Sequence, residues 1–334
     1  MNFQKSALAF AITFSLGALS GCSDDDDKSS LASSVAASSD AQNSSAASSS
    51  AAAVAMTFNR LSTFAVCEQL DATCNVDDET VAETVTASND GNTLIYTDGV
   101  QNSLGFIDIT DAAMPKKMGT VVLAGEPTSV AVVGNYVVAG VNTSADYVNT
   151  SGELAIIDLA TQMIVRTLDL GGQPDSVAVS PDGKYIAVAI ENERDEDLGD
   201  GIPPQLPAGF LMVVDVADTV DAWAARKVEL VNLDDMLFPA DPEPEFVSIN
   251  SDNIAVVTLQ ENNHIAMVDL ASGAVTVSFS AGTVDLVNID ATEEGELRFT
   301  ESLDGVVREP DGVTWMGTEY FATANEGDMD GGSR

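Results

Sequence analysis

The chain has 334 residues, of which 53 are acidic and 13 basic, giving a formal net charge of -40, and it contains one histidine and three cysteines. So negative a protein is repelled by phosphate backbones and by anionic lipid surfaces, which excludes nucleic acid as a partner. A single histidine removes most histidine-based triads and metal sites, and the cysteine spacings match no zinc motif.

Residues 1–21 read as an export signal. Lys5 precedes an uncharged run from Ser6 to Ser20 that is short for a bilayer span and suits a signal h-region. From 22 to 56 the chain is mostly Asp, Ser and Ala, with little that could bury enough surface to offset ordering entropy, so a disordered tether is expected. The run Asp24 to Lys28 within it is a solvated charge run. Segment 57–80 carries Cys67 and Cys74, seven residues apart, which suits one local disulfide in an oxidising compartment.

From 81 to 334 one unit repeats. Its anchor is Pro-x-x-Val, at Pro127 to Val130, Pro174 to Val177, Pro244 to Val247 and Pro310 to Val313. A turn follows, clearest as Ser180-Pro181-Asp182-Gly183-Lys184, and then a second apolar run such as Tyr185 to Ile190, the pattern of a hairpin. A third run ends in aspartate at Asp108, Asp158, Asp215 and Asp269, in steps of 50, 57 and 54 residues. A fourth run comes next, as in Ile164 to Leu170 or Val275 to Phe279. An earlier copy without the proline runs from Thr84 through Ser88-Asn89-Asp90-Gly91-Asn92 to Tyr96. Four antiparallel strands at this period predict an all-β fold, a β-propeller, with four blades and the opening hairpin of a fifth. A ring cut mid-blade leaves bare strand edges, so the chain is expected to be truncated; a complete four-bladed ring with a strand-swapped fifth segment is the alternative.

Leu19-Ser20-Gly21-Cys22 resembles the lipobox of bacterial lipoproteins. The resemblance implies a lipidated Cys22 as the mature first residue and a membrane anchor; an ordinary cleaved signal with a chance cysteine is the competing reading. Ser23 after it resembles outer-membrane sorting in Gram-negative cells, implying a cell-envelope location, periplasmic or surface-exposed. The stretch from Gln173 to Tyr185 resembles YVTN-like bacterial surface propellers. Glu309-Pro310-Asp311-Gly312-Val313, then Thr323 to Asp328 and Gly331 to Arg334, resemble the choice-of-anchor I family, as does the acidic insert Glu191 to Asp197 with Pro204-Gln205-Leu206-Pro207 after it. This likeness covers about residues 80–334. It implies a secreted or surface-attached propeller of a kind often labelled alkaline-phosphatase-like without a defined catalytic set, and one longer than this chain.

In a propeller the loop opening each blade and the loop between its second and third strands lie on one face. Asp175, Glu245 and Asp311 stand at blade openings, whereas Glu191, Glu193, Asp195, Glu196, Asp197, Glu261, Asn325, Glu326 and Asp328 follow second strands, so they are expected to share a rim. Hard oxygen donors of this kind suit calcium, and Asp175, Glu191, Glu193, Asp195, Asp311, Glu326 and Asp328 are the candidate ligands. A solvated acidic rim, or an adaptation to salty surroundings, accounts for the same residues. No nucleophile elbow, phosphate-binding loop or histidine metal cluster is present. Arg194 and Arg308, the cations near the acidic loops, read as salt-bridge partners ahead of substrate clamps. Trp315 reads as core, Trp223 as cover for a hydrophobic edge, and His264 as structural. The expected function is a lipid-anchored extracytoplasmic scaffold for an unknown protein or small-molecule ligand, with an acidic rim that binds calcium. The alternative is a calcium-dependent phosphoesterase of the alkaline-phosphatase-like or phytase-like kind.

Overall fold

A computed structural model describes residues 59–326 apart from 72, 76, 200, 293 and 294. The signal, the tether, Cys22 and Asp328 lie outside the described residues. Four sheets have four antiparallel strands each, in chain order. The first holds β1 (Ala82–Ala87), β2 (Thr93–Asp98), β3 (Ser103–Asp108) and β4 (Lys116–Val122). The second holds β5 (Glu126–Val133), β6 (Tyr136–Asn142), β7 (Gly152–Asp158) and β8 (Met163–Asp169). The third holds β9 (Pro174–Val179), β10 (Tyr185–Ile190), β11 (Phe210–Asp215) and β12 (Ala224–Val228). The fourth holds β13 (Pro244–Ile249), β14 (Ile254–Leu259), β15 (His264–Asp269) and β16 (Ala274–Ser280). Two hairpins follow, β17 (Thr283–Ile289) with β18 (Glu301–Val307) and β19 (Pro310–Met316) with β20 (Tyr320–Asn325). The first strands touch in succession, β1 on β5, β5 on β9, β9 on β13 and β13 on β19, which is the radial stacking of propeller blades.

Each repeated proline opens an inner strand, where its missing N–H costs the ladder nothing. A register shift follows within three residues, between Pro127 and Ser129, Pro244 and Val247, and Pro310 and Val313, and opposite Pro174 on β10. Amide groups past the bulge bond to the preceding blade: Val177 donates to the Ser129 hydroxyl at 3.0 Å, Val247 to Ser176 at 3.3 Å and Trp315 to Ser248 at 3.2 Å. The proline repeat thus joins neighbouring blades as well as starting each strand.

The aspartates at the ends of the third strands serve the turn that comes next. Asp108 accepts from the amide and hydroxyl of Thr110, Asp158 from those of Thr161 and Asp269 from those of Ser272. These bonds hold all three carboxyls below the usual carboxylate range. Asp215 instead pairs with Arg226 at 2.9 Å.

The core lies between blades. Ile186, Val188 and Ile190 pack toward β6 and β7, while Ala187 packs toward β13 to β15, and all four are fully buried. A central strand sandwiched on both faces is a continuous apolar run rather than an alternating one. Trp223 closes one such interface, 4% exposed and edge-on to Tyr136 at 5.8 Å, and Trp315 packs edge-on to Phe321 at 5.6 Å. His264 is fully buried at the start of β15.

Gly105 of β3 lies opposite Tyr96 of β2, and a Cβ there would overlap the Tyr96 ring. Gly105→Ala is therefore expected to lower stability by about 1–3 kcal/mol, read as a leftward shift of the urea midpoint with an unchanged slope. A substitution without effect would mean that the ring has room to turn aside.

Before β1, Cys67 and Cys74 are joined by a disulfide. The adjacent Gln69 docks that segment on the first blade, donating to the Phe106 carbonyl at 2.7 Å and accepting from the Gly119 amide at 3.1 Å. Those two groups flank the register shift between β3 and β4. The β17–β18 hairpin is an insertion between the fourth blade and β19 that the repeat pattern does not announce.

Candidate acidic mouth of the channel

The residue after each strand-opening proline is Thr128, Asp175, Glu245 or Asp311. The three acidic ones act on a shared space: Asp175 is raised by burial and then by Asp311, Glu193 and Glu261, and Glu245 by burial and then by Glu261, Asp175, Asp311 and Glu326. Glu191, at the end of β10, is raised by burial and by Asp175, Glu245 and Glu261. Asp311 is raised by burial and by Glu326. Carboxylates from three blades therefore face one another in a poorly solvated setting, where each disfavours charge on the rest.

One cation enters this cluster. Arg194, on the insert after β10, is buried and bonds Glu261 at 2.7 Å, Glu243 at 3.1 Å, Glu196 at 3.2 Å and the Gly201 carbonyl at 2.8 Å. Glu243 is 1% exposed and burial raises its carboxyl even beside the guanidinium. Arg194 is thus a structural ion-pair hub, with four of its five N–H donors engaged by Gly201, Glu243, Glu261 and Glu196. Arg308 donates to the Ala281 carbonyl at 2.7 Å, outside this cluster.

Pairing is incomplete. Glu243 Oε1, Glu245 Oε2 and Glu261 Oε2 are buried without a hydrogen-bond partner. Oxygens left this way are costly unless a proton or a cation satisfies them.

Of the residues singled out from sequence, Asp175, Glu191, Asp311 and Glu326 join this cluster, with Glu326 accepting from Gln260 at 3.1 Å. Glu193 is exposed at its edge and accepts from Gln173 at 3.1 Å. Asp195 has its backbone tied to Gln205 and its carboxylate accepts from the Asp197 amide at 3.1 Å. Among the described residues no three acids converge tightly enough to ligate one ion. Sequence reasoning missed Glu243 and Asp241, which stand in the connection before β13. It also missed Glu83, which follows the first residue of β1 as Asp175 follows that of β9, and which is raised by burial, Glu126 and Asp98. The absent proline in the first copy hid that equivalence.

The family model described as the choice-of-anchor I domain matches residues 83–331. No curated protein matches the chain. Among solved structures, hydrazine synthase of Kuenenia stuttgartiensis is similar at 15% identity and a TM-score of 0.50, over 72% of this chain and 67% of that one. The β-propeller domain of Cps50 (Swd1) from Myceliophteria thermophila is similar at 11% identity and 0.45, over 70% and 64%. A functionally unknown protein from Desulfotomaculum acetoxidans gives 11% and 0.44, over 69% and 72%. Likeness at such identities concerns the fold alone.

Proposed function

The chain belongs to the choice-of-anchor I family, and from that premise we propose that it is a non-catalytic scaffold of the cell envelope, held by a lipid on Cys22, whose acidic channel mouth takes up calcium. One observation carries this reading: Glu243, Glu245 and Glu261 each keep a buried oxygen unpartnered beside Asp175, Glu191 and Asp311. The donor chemistry fits, because calcium takes six to eight oxygens in irregular geometry and tolerates carboxylate crowding, which the Arg194 pairs with Glu243 and Glu261 relieve only in part. Carboxylates gathered in this way repel one another, and a divalent cation among them would replace that repulsion with attraction. Arg194 supports a scaffold over a phosphoesterase, since it is already paired with Glu196, Glu243 and Glu261. The family and the candidate lipobox support an envelope location, and outer-membrane sorting is the finer proposal from Ser23.

Calorimetric titration of calcium chloride into the chelator-treated chain near pH 8 is expected to show saturable binding. Glu245→Gln and Asp175→Asn should each weaken it by about tenfold or more, one lost ligand being worth at least ~1.4 kcal/mol. Absence of heat at all calcium concentrations would remove the ion. Calcium-dependent hydrolysis of a phosphomonoester, abolished by Glu191→Gln, would replace the scaffold with the enzyme.

A further inference from the structure

Outside the buried acids, the same face carries a second, different feature. Large apolar side chains stand in solvent on three of its loops: Tyr147 at 44% and Val148 at 68% exposure between β6 and β7, Leu198 at 60%, Ile202 at 38% and Leu206 at 62% between β10 and β11, and Leu237 at 44% before β13. Scattered singly they would need no explanation, but these loops are tied together. The first two loops each join the second and third strands of neighbouring blades, with β5 and β6 both touching β9, which sets the first loop beside the second, and the Tyr147 hydroxyl is raised by Glu193 first, with Asp195, Asp197 and Glu196 adding to it. Gln205 bonds the Asp195 backbone in both directions and donates its own amide to Asp241, which joins the second loop to the third. Asn262 then bonds the Leu237 and Asp241 carbonyls, each at 2.9 Å, which anchors the third loop to the fourth blade.

The loops are also built to hold their shape. Asp146 accepts from the Val148 and Asn149 amides at 3.0 and 2.7 Å, so Tyr147 and Val148 are presented on a fixed turn. Arg194 fixes the second loop from below through Glu243 and Glu261. Apolar side chains free to fold back would do so, whereas these are kept out at a cost in exposed surface. The second loop also carries Glu193, Asp195, Glu196 and Asp197, and Arg194 in the same loop is already engaged in its own ion pairs. An apolar patch rimmed with unrelieved negative charge is complementary to one chemistry, a segment that is both apolar and cationic.

We infer that these three loops form a docking platform for a polypeptide segment in which lysine or arginine alternates with apolar residues, Tyr147 being the central anchor and the insert acids setting the charge. The inference rests on the acidic-mouth reading only for the sign of the partner's charge. A rigid aromatic flanked by aliphatic groups supplies contact area at low entropic cost, and the acids accelerate encounter and reject acidic competitors.

Fluorescence anisotropy with three labelled peptides tests this on the purified chain: alternating lysine and leucine, the same length with serine in place of leucine, and the same length with glutamate in place of lysine. The lysine–leucine peptide is expected to bind about tenfold or more tighter than either of the others. The combined Tyr147→Ser, Leu198→Ser and Leu206→Ser variant should lose that margin while keeping its thermal midpoint and circular dichroism. Equal binding of the serine peptide, or full binding by the variant, overturns the platform. Co-sedimentation with choline-headgroup vesicles that is lost in the same variant would make the occupant a bilayer and overturn it as well. Glu245→Gln keeps the two readings apart: it is expected to reduce calcium uptake and to leave the lysine–leucine affinity within about twofold. Loss of calcium binding alone therefore counts against the mouth, and loss of peptide selectivity alone against the platform.

Discussion

Arg194→Ala is expected to destabilise the fold by about 3–5 kcal/mol, measured as the change in unfolding free energy from urea titrations at pH 9, where Glu243, pushed up to about 8, is ionised. The guanidinium is the shared counter-ion of Glu243, 1% exposed, and Glu261, 12% exposed at its side chain, at 3.1 and 2.7 Å. Its removal strands two carboxylates that are wholly or largely shielded from water, and the cost is theirs more than the lost attraction itself. Two controls make the cause visible. Adding Glu243→Gln and Glu261→Gln to the arginine variant should recover most of the loss, since neutral amides need no counter-ion. Lowering the pH to 5 should shrink the penalty, because carboxyls held above their ordinary range accept protons there. A loss below about 1 kcal/mol would mean that Arg194 behaves as a surface ion pair and that the mouth is wetter than its burial indicates.

The second large effect is a stability that falls as pH rises. Asp175 is pushed up to about 7 and Glu243 to about 8, with Glu191, Glu245 and Glu261 shifted in the same direction, in every case chiefly by burial. A carboxyl whose folded pKa exceeds its unfolded value of about 4 holds its proton more tightly in the fold. Its contribution is fully present below the unfolded value and is lost as pH climbs through the folded one. The thermal midpoint in chelator is therefore expected to drop by on the order of 5–10 °C between pH 5.5 and 8.5, a few kcal/mol for a domain of this size. The turn aspartates Asp108, Asp158 and Asp269 are shifted down and work in the opposite sense, but their influence is confined to acid below about pH 4.

Calcium divides the interpretations of that slope. If the mouth takes up the ion, millimolar calcium at pH 8.5 should restore most of the lost midpoint and do little at pH 5.5, where protons already occupy the same oxygens. A midpoint that rises equally at both pH values would point to general screening of the -40 charge. A midpoint that does not fall with pH at all would place these carboxylates in contact with water and remove the basis for the ion.

The amino-acid pattern by itself determined the strands, their grouping into blades and the face on which the acids gather. Those features follow from near neighbours: a proline that cannot continue a ladder, a Ser-Pro-Asp-Gly turn, and an apolar run wide enough to be covered on both sides. The aspartate closing each third strand was readable as punctuation, and the structure adds why, since at three of its four occurrences it caps the next turn. What only the tertiary structure decided is which acids are desolvated. Asp175 and Asp311 are 136 positions apart in the chain, yet Asp311 raises Asp175 and both raise Glu245, because successive inner strands stack side by side. Asp195, close in sequence to Glu191, instead accepts from the Asp197 amide within its own insert. Glu243 carried no sign in its neighbours that it would be almost wholly enclosed, and Arg194, legible as a salt-bridge partner of the acidic loops, gave no sign of which acids it would meet. The β17–β18 hairpin, too, lies outside the repeat that organises the rest. Secondary structure is set by periodicity within a few residues, whereas the charge state of a carboxyl depends on everything within several ångströms, most of it delivered by other blades.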